Sequence, residues 1–277
     1  MIDNTDNRMS EYLYKLPTAL QSAGWTIQKY FKDEGFDMPV FRWIQTTLQM
    51  PAFQHLCFGF KNLVYSVLIV ILKSDRSLMF DEKDVRNQLR ECKANNLIPC
   101  IIMLNDNTFR PVLQSFNFPL MSTYKLIANA KEQPVKPGFF NTAEDVEMSP
   151  WEINSFGIQV VRDDVEKSGG KILSYSDVIS VHPNIWFEKE GRRAMVFVEV
   201  HAGTQFNTEP VVMSPKSKAK LRIYDCYKAE VKLGWDWTDE HRKLMRGEPS
   251  YVSYPGLKKI SIDDIPDGES FEVRSSD

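Results

Sequence analysis

The residues of this chain whose types and spacing suit chemistry gather in one stretch, Pro183 to His201, PNIWFEKEGRRAMVFVEVH. Within it Glu199 and His201 stand two apart in an apolar run, and strand alternation puts both on one face with Phe197. A carboxylate in such surroundings must find a partner, because burying an unpaired charge is costly. A Glu199–His201 pair is the simplest partner and has no catalytic content. The chemical alternative is that His201 acts as a general base.

Other candidates are weaker. His55 and Cys57 share one face of an extended segment, which matches a Cys–His nucleophile by residue type, but no oxyanion donors accompany them. The four cysteines, Cys57, Cys92, Cys100 and Cys226, form no CxxC pair and lie near no histidine pair at metal-ligand spacing. They read as reduced, mostly buried thiols, and the histidines at 55, 182, 201 and 241 are equally dispersed. The chain has no GxSxG, no GK[ST] phosphate loop, no GxGxxG and no HExxH. Ser168-Gly169-Gly170-Lys171 is too short to cradle a phosphate and reads as a helix stop followed by a turn. Trp235 and Trp237, with Tyr251 and Tyr254, either stack single-stranded bases or cover a small core. The core is the simpler assignment.

The elements that would hold these residues follow from periodicity. Ala19, Ala23, Ile27 and Phe31, four apart, predict a helix from Thr18 to Glu34, with Thr18 as N-cap and Gly35 as stop. An extended segment from Val40 to Leu48 leads to Pro51. Strands His55 to Phe60 and Leu63 to Leu72 follow, joined at Lys61 and Asn62. Glu82 to Ala94 carries Val85, Leu89 and Cys92 on one helical face, and Leu97 to Leu104 returns as a buried strand. After the linker QPVKPG, Gln133 to Gly138, the order begins again. Ser149 caps a helix lined by Ile153, Phe156, Val160, Val161 and Val165, and a strand from Lys171 to Val181 leads to Pro183 and the central hairpin. Ser214-Pro215 then opens a helix, Lys216 to Tyr224, before an extended segment Tyr227 to Leu233. Residues 61–72 align by eye over 190–200, and Phe58 over Phe187. The expected architecture is mixed α+β: two tandem αβββαβ modules, residues 10–145 and 146–277, each a small mixed sheet flanked by helices, diverged from one duplicated unit.

Length and composition bound the function. At 277 residues, 43% hydrophobic and 26% charged, the chain is long and apolar enough for one large or two ordinary globular domains. A net charge of −3 argues against a broad cationic surface with sequence-independent nucleic-acid affinity, so any such contact uses a local patch. The start, MIDNTDNRMSEYL, has no basic, apolar secretory leader, and the apolar run Leu63 to Leu72 is about half of the ~20 residues a membrane-spanning helix needs. The expectation is a cytoplasmic protein without a membrane partner.

An αβββαβ core with a proline-led residue opening the second strand and an E-x-K-like end to the third resembles the PD-(D/E)XK restriction-endonuclease-like superfamily. Pro183-Asn184 stands at the PD position and Glu199-Val200-His201 at the (D/E)XK position. The resemblance implies a metal-dependent phosphodiesterase holding Mg²⁺ through carboxylates, the metal polarising phosphate and activating water. It makes Glu199, Asn184 and Glu152 metal ligands, with Glu199, His201 and Asn184 catalytic. Two departures weaken that chemistry: Asn184 is neutral where an aspartate is expected, and His201 replaces the lysine. Arg192, Arg193, Lys218 and Lys220 are possible phosphate contacts, or else a decorated turn and a solvated helix face. In the first module the matching positions, near His55, Val70 and Leu72, lack both carboxylate and lysine, so that copy is expected to be dead. The resulting expectation is a non-catalytic binding or scaffold protein on nuclease-like folds, using the surface between modules toward a protein or nucleic acid. The alternative is a nuclease acting on DNA or RNA with Mg²⁺.

Overall fold

The structure, a computed structural model, describes residues 4–36, 40–48, 55–112, 118–127, 146–234, 242–247 and 250–268. The linker expected at 133–138, and Trp235, Trp237 and His241, lie outside the described residues. The chain divides into two compact units, residues 1–146 and 147–277.

The first unit runs α1 (Asn4–Asp33), β1 (Phe41–Trp43), β2 (His55–Phe60), β3 (Leu63–Leu72), β4 (Leu78–Met79), α2 (Glu82–Ala94), β5 (Ile98–Asn105) and β6 (Leu120–Ser122). Strands β1, β2 and β3 form an antiparallel meander, β5 lies parallel to β3, and β6 is antiparallel to β5. A parallel neighbour cannot be reached by a tight turn, and α2 supplies the crossover. Its start is fixed by Asp81, whose side chain accepts from the Lys83 N–H. β3 is buried on both faces, which is why it reads as a continuous apolar run.

α1 carries the expected stripe of Ala19, Ala23, Ile27 and Phe31, all buried, but it begins at Asn4 and runs through Pro17 instead of starting at Thr18. Tertiary contacts outweigh the lost backbone hydrogen bond. Tyr12 and Leu16 extend the buried stripe, the Tyr12 hydroxyl donates to the Ile69 carbonyl at 2.9 Å, and Lys15 reaches Asp106 at 2.5 Å.

The second unit runs α3 (Pro150–Lys167), β7 (Lys171–Tyr175), β8 (Ile185–Lys189), β9 (Arg192–Ala202), β10 (Phe206–Asn207), α4 (Pro215–Leu221), β11 (Asp225–Gly234), β12 (Tyr251–Ser253) and β13 (Lys258–Ile260). Its sheet is ordered β12-β11-β9-β8-β7, with β9 and β11 parallel and the remaining pairs antiparallel. β7 stops at Tyr175, short of the expected Val181: its pairing with β8 ends in the bond from the Ser176 N–H to the Asn184 carbonyl, and residues 176–184 form the connection between the two strands. The protein is thus mixed α+β, with two sheet-and-helix modules of one element order.

The registers of the two sheets coincide. The β2–β3 hairpin closes at Phe60↔Leu63 and the β8–β9 hairpin at Lys189↔Arg192, each around a two-residue turn. The first turn residue has positive φ in both, 54° at Lys61 and 52° at Glu190. Along the parallel pair the ladders run Tyr65↔Ile98 to Leu72↔Asn105 and Ala194↔Asp225 to His201↔Lys232, at the same distance from their hairpins. Val70 and Leu72 therefore occupy the positions of Glu199 and His201. His55 occupies that of Asn184.

In α3 the buried stripe is Ile153, Gly157, Val161 and Val165, again four apart. Gly157 is required by close approach, since a Cβ there would lie 2.4 Å from the Val200 Cγ2. This face of the sheet packs Ile185, Val196, Val198, Val200 and Val231 under α3. The opposite face packs Trp186, Met195, Phe197 and Cys226 with Leu221 of α4. All four cysteines are buried and none forms a disulfide. Burial pushes the Cys226 thiol up to about 12 and Cys100 well above the ordinary thiol range, as inert core thiols require. Among the described residues no helix is long and apolar enough to cross a membrane.

Two buried groups in the first unit set a pH dependence. Burial holds the His55 imidazole down from 6.5 to about 4, so its protonation favours the unfolded chain and stability falls as pH drops through that window. Burial, with Asp81 adding, raises the Asp84 carboxyl from 3.8 to about 6. Its contribution is complete below about pH 4 and is lost as pH rises through 6. The slopes oppose one another at roughly 1.4 kcal/mol per pH unit each. Asp84→Asn is expected to raise stability at neutral pH by about 2 kcal/mol and to steepen the loss of stability on acidification, measured by chemical denaturation from pH 7 to 4.

Candidate functional site at the strand ends of the second unit

Asn184 follows a cis His182–Pro183 peptide and is 1% exposed. Its amide oxygen accepts the Val198 N–H at 2.8 Å, and its amide nitrogen donates to the Val181 carbonyl at 3.2 Å. The side chain therefore continues the β8–β9 ladder beyond the end of β8. The oxygen that the sequence motif would assign to a metal thus accepts a backbone N–H. His182 Nδ1 lies 3.2 Å from the same oxygen. Burial lowers the His182 pKa, opposed by the Asn184 contact and by the charge of Glu199.

Glu199 does not pair with His201. Its carboxylate meets the Lys228 ammonium at 2.8 Å, and His201 Nδ1 instead meets Asn207 Oδ1 at 3.0 Å. The parallel register explains the exchange, because it sets Lys228, Glu230 and Lys232 of β11 on the same face as Phe197, Glu199 and His201. The KAEVK alternation was visible in the sequence, but only the strand pairing shows which face it joins.

Glu152 is engaged by an arginine. Placed at the third position of α3 by its capping box with Ser149, it receives Arg246 bidentately, Nε at 2.8 Å and Nη2 at 2.7 Å. Both side chains are buried. Arg246 was missed because nothing local in sequence links it to α3. The proposed phosphate contacts also separate. Lys218 is buried and paired with Asp267 at 2.6 Å, while Lys220 is exposed on α4. Arg192 and Arg193 open β9 at the hairpin, about 20 Å of strand from Glu199.

What the strand ends do enclose is a cavity of about 380 Å³, lined by residues that include His201, Asn207, Glu230, Lys232, Arg242 and Tyr251. Asn207 is oriented by its amide nitrogen, which donates to the Gly203 carbonyl at 2.9 Å. Its oxygen then faces His201 Nδ1. Tyr251 packs on Gly234, where a Cβ would come within 2.3 Å of the ring. The wall at residues 242–247 is tied down at Leu244, whose N–H donates to Gln205 Oε1 at 2.6 Å and whose carbonyl accepts from the Met148 N–H at 3.0 Å. The Glu152–Arg246 pair secures the same wall.

The first unit is apolar at the corresponding ladder position. Leu72 and Leu78 are ladder partners there, where the second unit pairs His201 with Asn207. The early turns of α1 add Glu11, bonded to Lys73 at 2.9 Å, and Lys15, bonded to Asp106.

Residues 151–260 match a family model described as a domain of unknown function, DUF8840, covering α3 to β13. No curated protein and no solved structure matches the chain.

Removing one side of the buried ion pair strands the other charge. Glu152→Ala is expected to cost about 3–5 kcal/mol in chemical denaturation, with the Glu152→Ala/Arg246→Ala double variant less destabilised than the sum of the single changes. Asn184→Asp, which restores the motif's carboxylate, is expected to destabilise by about 1–3 kcal/mol, because the new oxygen faces the Val181 carbonyl without a proton to donate.

Proposed function

We propose that the second unit is a nuclease-like αβββαβ module that binds without hydrolysing, and that the first is its diverged tandem copy. The observation carrying this reading is the engagement of the three implied metal ligands. Glu152 is held by Arg246, Asn184 by the Val198 N–H, and Glu199 by Lys228. Mg²⁺ dehydrates reluctantly and needs unencumbered carboxylates, and the first two oxygen sets are already committed in the core. Among the described residues no three His, Cys, Asp or Glu side chains cluster in a metal-binding arrangement. The shared hairpin and ladder registers support the duplication. The partner is a protein, a nucleic acid or a small molecule met at the second unit, and the buried thiols favour a reducing, cytoplasmic setting.

One observation favours metal-dependent phosphodiester cleavage as a second reading. The Glu199 side chain is still 19% exposed, and Lys228 sets an ammonium 2.8 Å from it, so β11 supplies the cation that His201 does not. Titration calorimetry with Mg²⁺ and Mn²⁺, run beside a nuclease assay on wild type and Glu199→Ala, decides between the two. The expected result is neither metal binding nor cleavage in either protein. Metal-dependent cleavage lost in Glu199→Ala would overturn the binding-module reading.

A further inference from the structure

We infer that α1 carries on its outer face a seam for a second copy of this chain, a property of the first unit that is independent of the chemistry at the second. The inner stripe of α1, from Tyr12 to Phe31, faces the first unit's core. On the opposite side Tyr14, Thr18, Gln21, Trp25 and Gln28 are exposed, spaced four, three, four and three apart. This is the a/d spacing of a helix that packs along another helix. The outer face of a surface helix ordinarily carries charge. Here every exposed residue from Ser10 to Gln28 is uncharged, and Tyr14 and Trp25 are 86% and 66% exposed. Exposed aromatics without charges are the composition of an interface core.

Gly24, on the flank of this seam, is a second and separate observation. A glycine inside a helix is costly. Among the described residues no atom lies within 4 Å of the place its Cβ would take, and its φ is not in the left-handed region, so nothing within the chain requires it. The symmetry of the seam supplies both the reason and the occupant. Turning α1 end for end about the midpoint of Ala19 and Leu20 sets Tyr14 against Trp25 of the second copy and Thr18 against its Gln21. Pro17 then falls beside Gly24 of the second copy, where the missing Cβ admits its ring. A two-fold interface must match itself in this way. With no charge on the seam, no residue is repelled by its own counterpart. One helix face lies at the low end of interface sizes, so the expected dimer is weak and concentration-dependent.

Sedimentation equilibrium of the full chain, from roughly 1 to 200 μM, is expected to show monomer and dimer in exchange. Tyr14→Glu, Trp25→Lys and Gly24→Leu are each expected to weaken the dimer about tenfold or more while keeping the wild-type circular-dichroism spectrum. Mixing Tyr14→Glu with Trp25→Lys is expected to restore association as a heterodimer, because glutamate then faces lysine at one end while tryptophan still faces tyrosine at the other. A wild type that stays monomeric throughout overturns the inference and leaves the seam to the chain's own second unit or to a different protein. Undiminished dimers in the folded variants overturn it as well. A mixture that remains monomeric overturns the end-for-end pairing. None of these outcomes bears on metal binding or cleavage, which the calorimetry and nuclease assay read separately.

Discussion

The parallel pairing of β9 with β11 is the constraint from which the second unit's surface follows. Paired residues of parallel neighbours project to the same side, so Glu199 stands beside Glu230 and His201 beside Lys232. Both strands also leave the sheet at the same edge. The crossover helix decides how much of that face stays open. α4 has seven residues and spans about 10 Å, whereas the eight-residue ladder beneath it spans about 26 Å. In the first unit α2 has thirteen residues, about 20 Å, and its ladder carries Leu68 and Val70 into a sealed core with Val85. Helix length thus separates a covered sheet from an open one.

Where the sheet is open, polar side chains hold one another. The buried Glu152–Arg246 pair adds little net stability, because desolvating two charges offsets most of their attraction. Its effect is positional: it fixes residues 242–247 against the first turn of α3 and so shapes one wall of the cavity. A capping carboxylate is suited to this, since the helix N-terminus favours its charge while the Ser149 N–H fixes its orientation.

Much of this fold was legible in the sequence, and the limits are physical. β2, β3 and α2 appear at their expected residues because each has strong internal periodicity and clear turn or cap residues at its ends. α1 was misjudged at its start because a proline was weighed without the ion pairs and the buried Tyr12 that hold the preceding turns in place. The candidate site was harder to read. Glu199 and His201 were correctly placed on one face, but their partners come from β11 and β10, and a partner across strands depends on register, which no local pattern fixes. Glu152 and Asn184 have the residue types of ligands and do the work of a clamp and a backbone patch. Residue type carries no record of the donors that meet those oxygens, because the donors come from β9 and from residue 246, far away in sequence.

The cross-strand position held by Leu72–Leu78 in one unit and His201–Asn207 in the other has a consequence for how such folds diversify. An imidazole–amide couple and a pair of leucines fit the same two sites without shifting a single backbone pairing, so the chemical identity of the strand end is exchangeable at little topological risk. How far the strand end is exposed is a separate matter, set by the length of the crossover helix and by the segment at residues 242–247. In such a scaffold the chemistry of the strand end and its accessibility therefore vary independently.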